Sequence, residues 1–130
     1  IYYVFDNTRF NDTVSVCSKY NLFPKLEDWK NKILLLETSE EKPNPSLFRQ
    51  MLNTIKKCGI FDVLSGVLVG KPQNETYYDE YKKILSEELA DKDLSIVYNL
   101  NVGHSTPRCI IPFGVDAEVN VDKQVIAFNY

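Results

Sequence analysis

ILLLETSEEKPNPSLFRQMLNTIKKCGIFDVLSGVLVG, residues 33–70, carries a strand, a helix and a second strand in unbroken succession. The run Ile33-Leu34-Leu35-Leu36 shows no alternation and is too short for a free-standing helix, so it reads as a strand buried on both faces. After the polar stretch Glu37 to Lys42, Asn44 stands as a helix N-cap and Pro45 at the first helical position, where its missing N–H removes no hydrogen bond. Leu47, Phe48, Met51, Leu52 and Ile55 then recur on one helical face, and Gly59 terminates the helix. Gly66 to Gly70 is a short apolar strand bracketed by glycine.

Outward from this unit, Asn74 is expected to open a second helix with Tyr78, Tyr81, Leu85 and Leu89 at helical spacing, and Leu94 to Leu100 a third strand. Strand, helix, strand, helix, strand implies parallel pairing by right-handed crossovers, since parallel neighbours need a long connection. The tail changes character. Cys109-Ile110-Ile111 reads as a strand; Val115, Ala117 and Val119 alternate with Asp116, Glu118 and Asn120; Val125 to Phe128 follows a turn at Asp122-Lys123. These are antiparallel hairpin strands with one wet face. The expected fold class is α/β, a layered β/β/α domain of swivelling type with a short parallel core and an antiparallel hairpin addition. Residues 1–19 have no clear period and are expected to be a linker or an extra strand.

The 130 residues are enough for one domain, and 44% apolar with 25% charged residues is the balance of a globular chain. A net charge of −3 without a localised basic patch argues against nucleic acid or an anionic membrane as partner. No apolar run approaches the roughly 20 residues that span a bilayer. Cys17, Cys58 and Cys109 are odd in number and widely spaced, which fits a reducing cytoplasm better than a disulfide framework or a zinc site. Of the sequons at Asn11 and Asn74, the second is better read as the helix cap. The chain starts at Ile1 instead of methionine, which leaves an upstream segment open.

Ligands of open α/β sheets bind beyond the carboxyl ends of the parallel strands. Glu37 directly follows the first strand, and His104, the single histidine, lies in NVGHSTPRC a few residues after the third. Either residue alone is more often a solvated strand end or a turn histidine than a catalytic group. The pair lacks a nucleophile: Ser39, Ser65 and Ser105 sit in no G-x-S-x-G elbow, and Cys109 would be made inert by burial in its strand. One histidine without clustered cysteines leaves only Glu37, Glu40 and Glu41 for a metal, and these read as a solvated loop. Gly70-Lys71-Pro72 lacks the spacing of a phosphate loop. Tyr77, Tyr78 and Tyr81 read as half core and half rim of their helix, and a binding module on that surface has no motif behind it.

The stretches DWKNKILLLETSEEKPNP, GIFDVLSGVLVGKPQNETYYDEYKKIL and YNLNVGHSTPRCIIPFGVDAEV together resemble the C-terminal half of the LD-carboxypeptidase serine peptidases, most of all their microcin-immunity-like branch, from about Tyr20 to the end. The resemblance implies a two-domain enzyme with a Ser-Glu-His triad whose serine and oxyanion hole lie on a preceding N-terminal domain. Glu37 matches the family's glutamate in its L-E-T-S-E-E-like motif, and His104 matches the histidine of a G-H-x-x-P-like motif. Gly103 and Pro107 either shape that loop or are plain turn residues. The glycine-rich segment that the family carries before the Tyr20 region is not seen in Ile1 to Cys17.

The expected function is therefore the catalytic-half domain of a cytoplasmic serine carboxypeptidase or amidase, without metal or organic cofactor. Its substrate would be a small peptide-like molecule, a muropeptide or an aminoacyl-nucleotide analogue, with the wording T-S-E-E and G-H-S-T-P leaning to the latter. The full-length enzyme is expected to be a homodimer. The alternative is a non-catalytic remnant or binding domain that has lost its nucleophile half.

Overall fold

The structure is a computed structural model describing residues 19–129. Its strands are β1 (Ile33–Leu36), β2 (Gly66–Gly70), β3 (Ile96–Leu100), β4 (Asp116–Asn120) and β5 (Val125–Asn129), and its α-helices are α1 (Pro45–Lys57) and α2 (Tyr78–Glu88). Single 3-10 turns at Leu26–Trp29, Ile60–Asp62 and Gln73–Glu75 join them. β1, β2 and β3 form a parallel sheet in that order, and β4 and β5 pair antiparallel. The fold is α/β with a parallel core and a hairpin addition.

Alternation along the sheet explains the layers. Leu34, Val67 and Val69 join Phe48, Leu52, Ile55, Tyr81, Ile84 and Leu85 in one buried cluster, so this face packs against both helices. Leu35 and Leu68 point the other way, toward Ala117 and Phe128 of the hairpin, across a cavity of about 420 Å³. All five residues of β2 are buried, as expected of a central strand covered on both sides. In β1 only Leu34 is fully buried. The expected burial on both faces fails there because β1 is an edge strand of the sheet and faces an incompletely filled cavity.

Asn44 caps α1 as its position implies: its Oδ1 accepts from the Leu47 N–H at 3.0 Å, and Pro45 occupies the first turn. At the other end Gly59, at φ +72°, takes the left-handed conformation that ends the helix. Replacing Asn44 by alanine is expected to cost about 1 kcal/mol, leaving the Leu47 N–H without its side-chain acceptor. Urea denaturation of the two proteins measures this, and a difference below a few tenths would mean the cap is not supporting the helix.

Three expectations need correction. Asn74 does not cap α2: it sits at φ +55° within the 3-10 turn, and the helix starts at Tyr78 after Tyr77, itself at φ +58°. Packing overrides the local signal here. The Tyr78 ring packs at a tilt against Tyr98 and its carbonyl accepts from the Tyr98 hydroxyl, while Tyr81 packs against Phe48 and its hydroxyl donates to the Pro43 carbonyl. Cys109-Ile110-Ile111 is not a strand. The Cys109 N–H bonds the Asn101 carbonyl, Pro112 has no N–H to offer a ladder, and Ile110 is 94% exposed. β3 begins at Ile96 rather than Leu94, which leads into the strand packed against the core.

Candidate active site

Glu37 and His104 leave the carboxyl ends of β1 and β3, the two strands flanking β2. They meet across the end of that central strand. The Glu37 Oε1 lies 2.6 Å from His104 Nδ1 and accepts the His104 backbone N–H at 3.1 Å. One carboxylate oxygen thus fixes both the ring and the loop that carries it. A carboxylate only accepts, so Nδ1 carries the proton in this contact.

Two glycines make the meeting possible. A Cβ on Gly70, the last residue of β2, would stand 2.8 Å from the Val102 carbonyl oxygen and 3.4 Å from Glu37 Cγ. A Cβ on Gly103 would fall 2.3 Å from Glu37 Cγ and 2.6 Å from Oε1, and the residue's φ of +94° is one that side chains rarely adopt. Of the two open readings of Gly103, loop shaping is what the geometry favours: the carboxylate occupies the space a side chain would need. Pro107 follows a cis peptide bond.

The second ring nitrogen is also engaged: Nε2 lies 2.6 Å from Glu40 Oε2. Glu40 was expected to be a solvated loop residue, and at 63% side-chain exposure it is still largely in water while touching the imidazole. Nothing in its local pattern marks it, because the contact depends on where a loop 64 positions further on is brought by the sheet. The hydrogen bond that the ring donates to Glu37, then the charge of Glu37, raise the His104 pKa above its ordinary value; partial desolvation of the ring opposes them, and the charge of Glu40 adds a smaller upward push against a still smaller opposing effect of Arg108. A raised pKa means the ring's interactions favour the folded chain most when it is protonated. That contribution is complete below the unfolded value and disappears as pH rises through the folded one.

The other candidates lie elsewhere. Ser65 precedes β2, at the opposite end of the strand from Gly70, and Ser39 Oγ accepts the Glu41 N–H within its own turn. Ser105 is buried, at 6% exposure. Cys109 is exposed, so the argument that burial makes it inert does not hold. Its neighbour Arg108 faces the same imidazole electrostatically. Tyr81 is core and Tyr77 rim, as their spacing implies. Among the described residues, no group of three His, Cys, Asp or Glu side chains is arranged to hold a metal ion, and no helix is long and apolar enough to cross a membrane.

Comparison with known proteins gives a consistent picture. The family model described as the LD-carboxypeptidase C-terminal domain matches residues 12–119. A protein from Treponema pallidum carrying a provisional carboxypeptidase name is 30% identical over 114 residues, which are 84% of this chain and 34% of that protein. The solved structure of an MccF-like protein from Streptococcus pneumoniae, in complex with AMP, is 57% identical and superposes with a TM-score of 0.93 over 99% of this chain and 37% of that one. A muramoyltetrapeptide carboxypeptidase from Oxalobacter formigenes shares the fold at 20% identity, with a TM-score of 0.54 over 68% of this chain and 32% of that one. The chain spans about a third of the length of these relatives.

Proposed function

The chain belongs to the LD-carboxypeptidase C-terminal domain family, and from that membership we propose that it is the half of a serine peptidase or amidase that supplies the base and its orienting carboxylate. The observation that carries this reading is the double grip of Glu37 Oε1 on His104, at Nδ1 and at the backbone N–H. With Nδ1 committed as donor, Nε2 is the nitrogen left to exchange a proton. It takes the proton of a serine hydroxyl as the oxygen attacks an amide carbonyl, and returns it to the departing amine so that the C–N bond can break. Glu37 fixes the tautomer and stabilises the imidazolium formed between those two transfers.

The serine and the oxyanion hole belong, in this reading, to a separate N-terminal domain, as the threefold greater length of the relatives supports. An aminoacyl-nucleotide-like amide is the favoured substrate, because the 57% identical neighbour was solved with AMP; a muropeptide is the alternative. Water takes the acyl group off the serine, with His104 again as base. We place the enzyme in the cytoplasm on its cysteine usage, and as a homodimer at full length. One observation favours a second reading, a non-catalytic remnant: Nε2 is already occupied by Glu40.

The isolated 130-residue chain is expected to fold, to hydrolyse neither an LD-tetrapeptide nor an aminoacyl-adenylate amide, and to remain unlabelled by a serine-directed fluorophosphonate. The full-length protein should do both. Turnover or labelling by the isolated chain would overturn the assignment of the nucleophile to another domain, and a full-length protein inert to substrate and probe alike would favour the remnant.

A further inference from the structure

We propose that Glu40 is a latch on the imidazole: its carboxylate holds the ring nitrogen that the nucleophile must reach, and docking of the nucleophile half displaces it. The proposal rests on the catalytic-half reading above, and its first test does not require turnover.

Three observations carry it. Both ring nitrogens of His104 lie 2.6 Å from a carboxylate oxygen, Nδ1 from Glu37 and Nε2 from Glu40. Since carboxylates only accept, this arrangement is satisfied when both nitrogens donate, which favours the imidazolium form of the ring. An imidazolium has no lone pair with which to take a hydroxyl proton. Next, a ring nitrogen has one in-plane direction, so the Glu40 oxygen and a serine hydroxyl cannot both occupy it. Finally, Glu40 is held in place by its turn. The Lys42 N–H donates to the Ser39 carbonyl at 3.1 Å, the Glu41 N–H to Ser39 Oγ at 3.4 Å, and the turn runs into Pro43, whose carbonyl accepts the Tyr81 hydroxyl. The backbone is pinned while the carboxylate remains 63% exposed, and an exposed ion pair is weak enough for a docking surface to break.

The charged groups bearing on the ring are Glu37 at the end of β1, Glu40 in the following turn and Arg108 in the histidine's own loop. Glu37 stays hydrogen-bonded to Nδ1 when the latch opens. Release of Glu40 therefore lowers the proton affinity of the ring without freeing it to rotate. Release of Glu40 favours loss of the Nε2 proton to water, and the nitrogen then presents a lone pair to the serine that the same movement admits.

The test follows the His104 Nδ1 and Nε2 resonances of the nitrogen-labelled chain through a pH titration, in wild type, Glu40→Gln and Glu40→Ala. Both variants are expected to lower the His104 pKa by about half a unit, the size an exposed ion pair can supply, which is about a threefold rise in the ratio of neutral to protonated ring at a fixed pH. Unchanged titration in both would overturn the latch. In the full-length protein, the acid limb of kcat/KM against pH is expected to keep its midpoint in Glu40→Gln. A shift there equal to that in the isolated chain would mean that Glu40 stays on Nε2 after docking, and would overturn displacement. Full activity in His104→Ala would sink the catalytic-half reading instead, a result distinct from either of these.

Discussion

In the full-length enzyme, His104→Ala is expected to lower turnover by about 10⁶-fold, the order found when the base of a serine triad is removed, and Glu37→Gln by about 10⁴-fold. The inequality follows from the geometry. In the proposed mechanism, replacing His104 removes the group that exchanges a proton with the nucleophile. Replacing the Glu37 carboxylate by an amide keeps its shape but presents an N–H or a neutral carbonyl where Oε1 now grips both Nδ1 and the loop backbone. The amide stabilises the imidazolium less and permits the wrong tautomer. In the proposed mechanism the two residues act as one device, so the double variant should be hardly worse than His104→Ala alone. Turnover of the three variants, with thermal stability checked for each, decides this. Multiplicative losses, or near-normal activity in a stable Glu37→Gln, would mean that the pair does not work as a unit.

The second large effect is expected at a residue with no side chain. Gly103→Ala should reduce turnover by about 10²-fold, the scale associated with misplacing a catalytic group by an ångström, and destabilise the fold by about 1–3 kcal/mol through its unfavourable φ. The added methyl would lie 2.3 Å from Glu37 Cγ, so the carboxylate must move away from the ring it orients. Gly114 provides the control, being also at positive φ, +75°, but with nothing within 4 Å of a Cβ. Gly114→Ala should therefore show backbone strain with turnover largely kept. Measuring denaturation midpoints and turnover side by side separates strain from collision; equal losses of activity in both variants would refute the steric argument.

The parts of the fold legible in the sequence are those fixed by neighbours along the chain. Asn44, Pro45 and Gly59 bound α1 through contacts made within a few residues, and the apolar runs of β1 and β2 need only a sheet to enter. Asn74 misleads for the converse reason: its local cap signal competes with tyrosine packing against residues about 20 to 40 positions away, and loses. The run Cys109 to Ile111 has strand composition but no ladder to join. Of the site, Glu37 and His104 could be placed at strand ends from the pattern, while their pairing came from the family likeness. The contact between them spans 67 positions and is set by the order of the strands, which spacing does not encode. Glu40 left no trace, since an exposed glutamate in an acidic turn looks the same whether or not an imidazole arrives beside it.

The pairing of β2 with β3 is not quite regular: from Leu68↔Val97 to Gly70↔Leu100, β2 advances two residues while β3 advances three, with Asn99 at φ +70° taking up the difference. Faces of a strand are assigned by odd and even count, so one surplus residue inverts the parity of everything after it. Val102, Gly103 and His104 are downstream of that inversion. Excising Asn99 would give a tidier ladder and reverse the count by which His104 arrives at Glu37. The address at which Glu37 meets His104 is thus written partly as an irregularity, and a redesign that smoothed the strand would erase it.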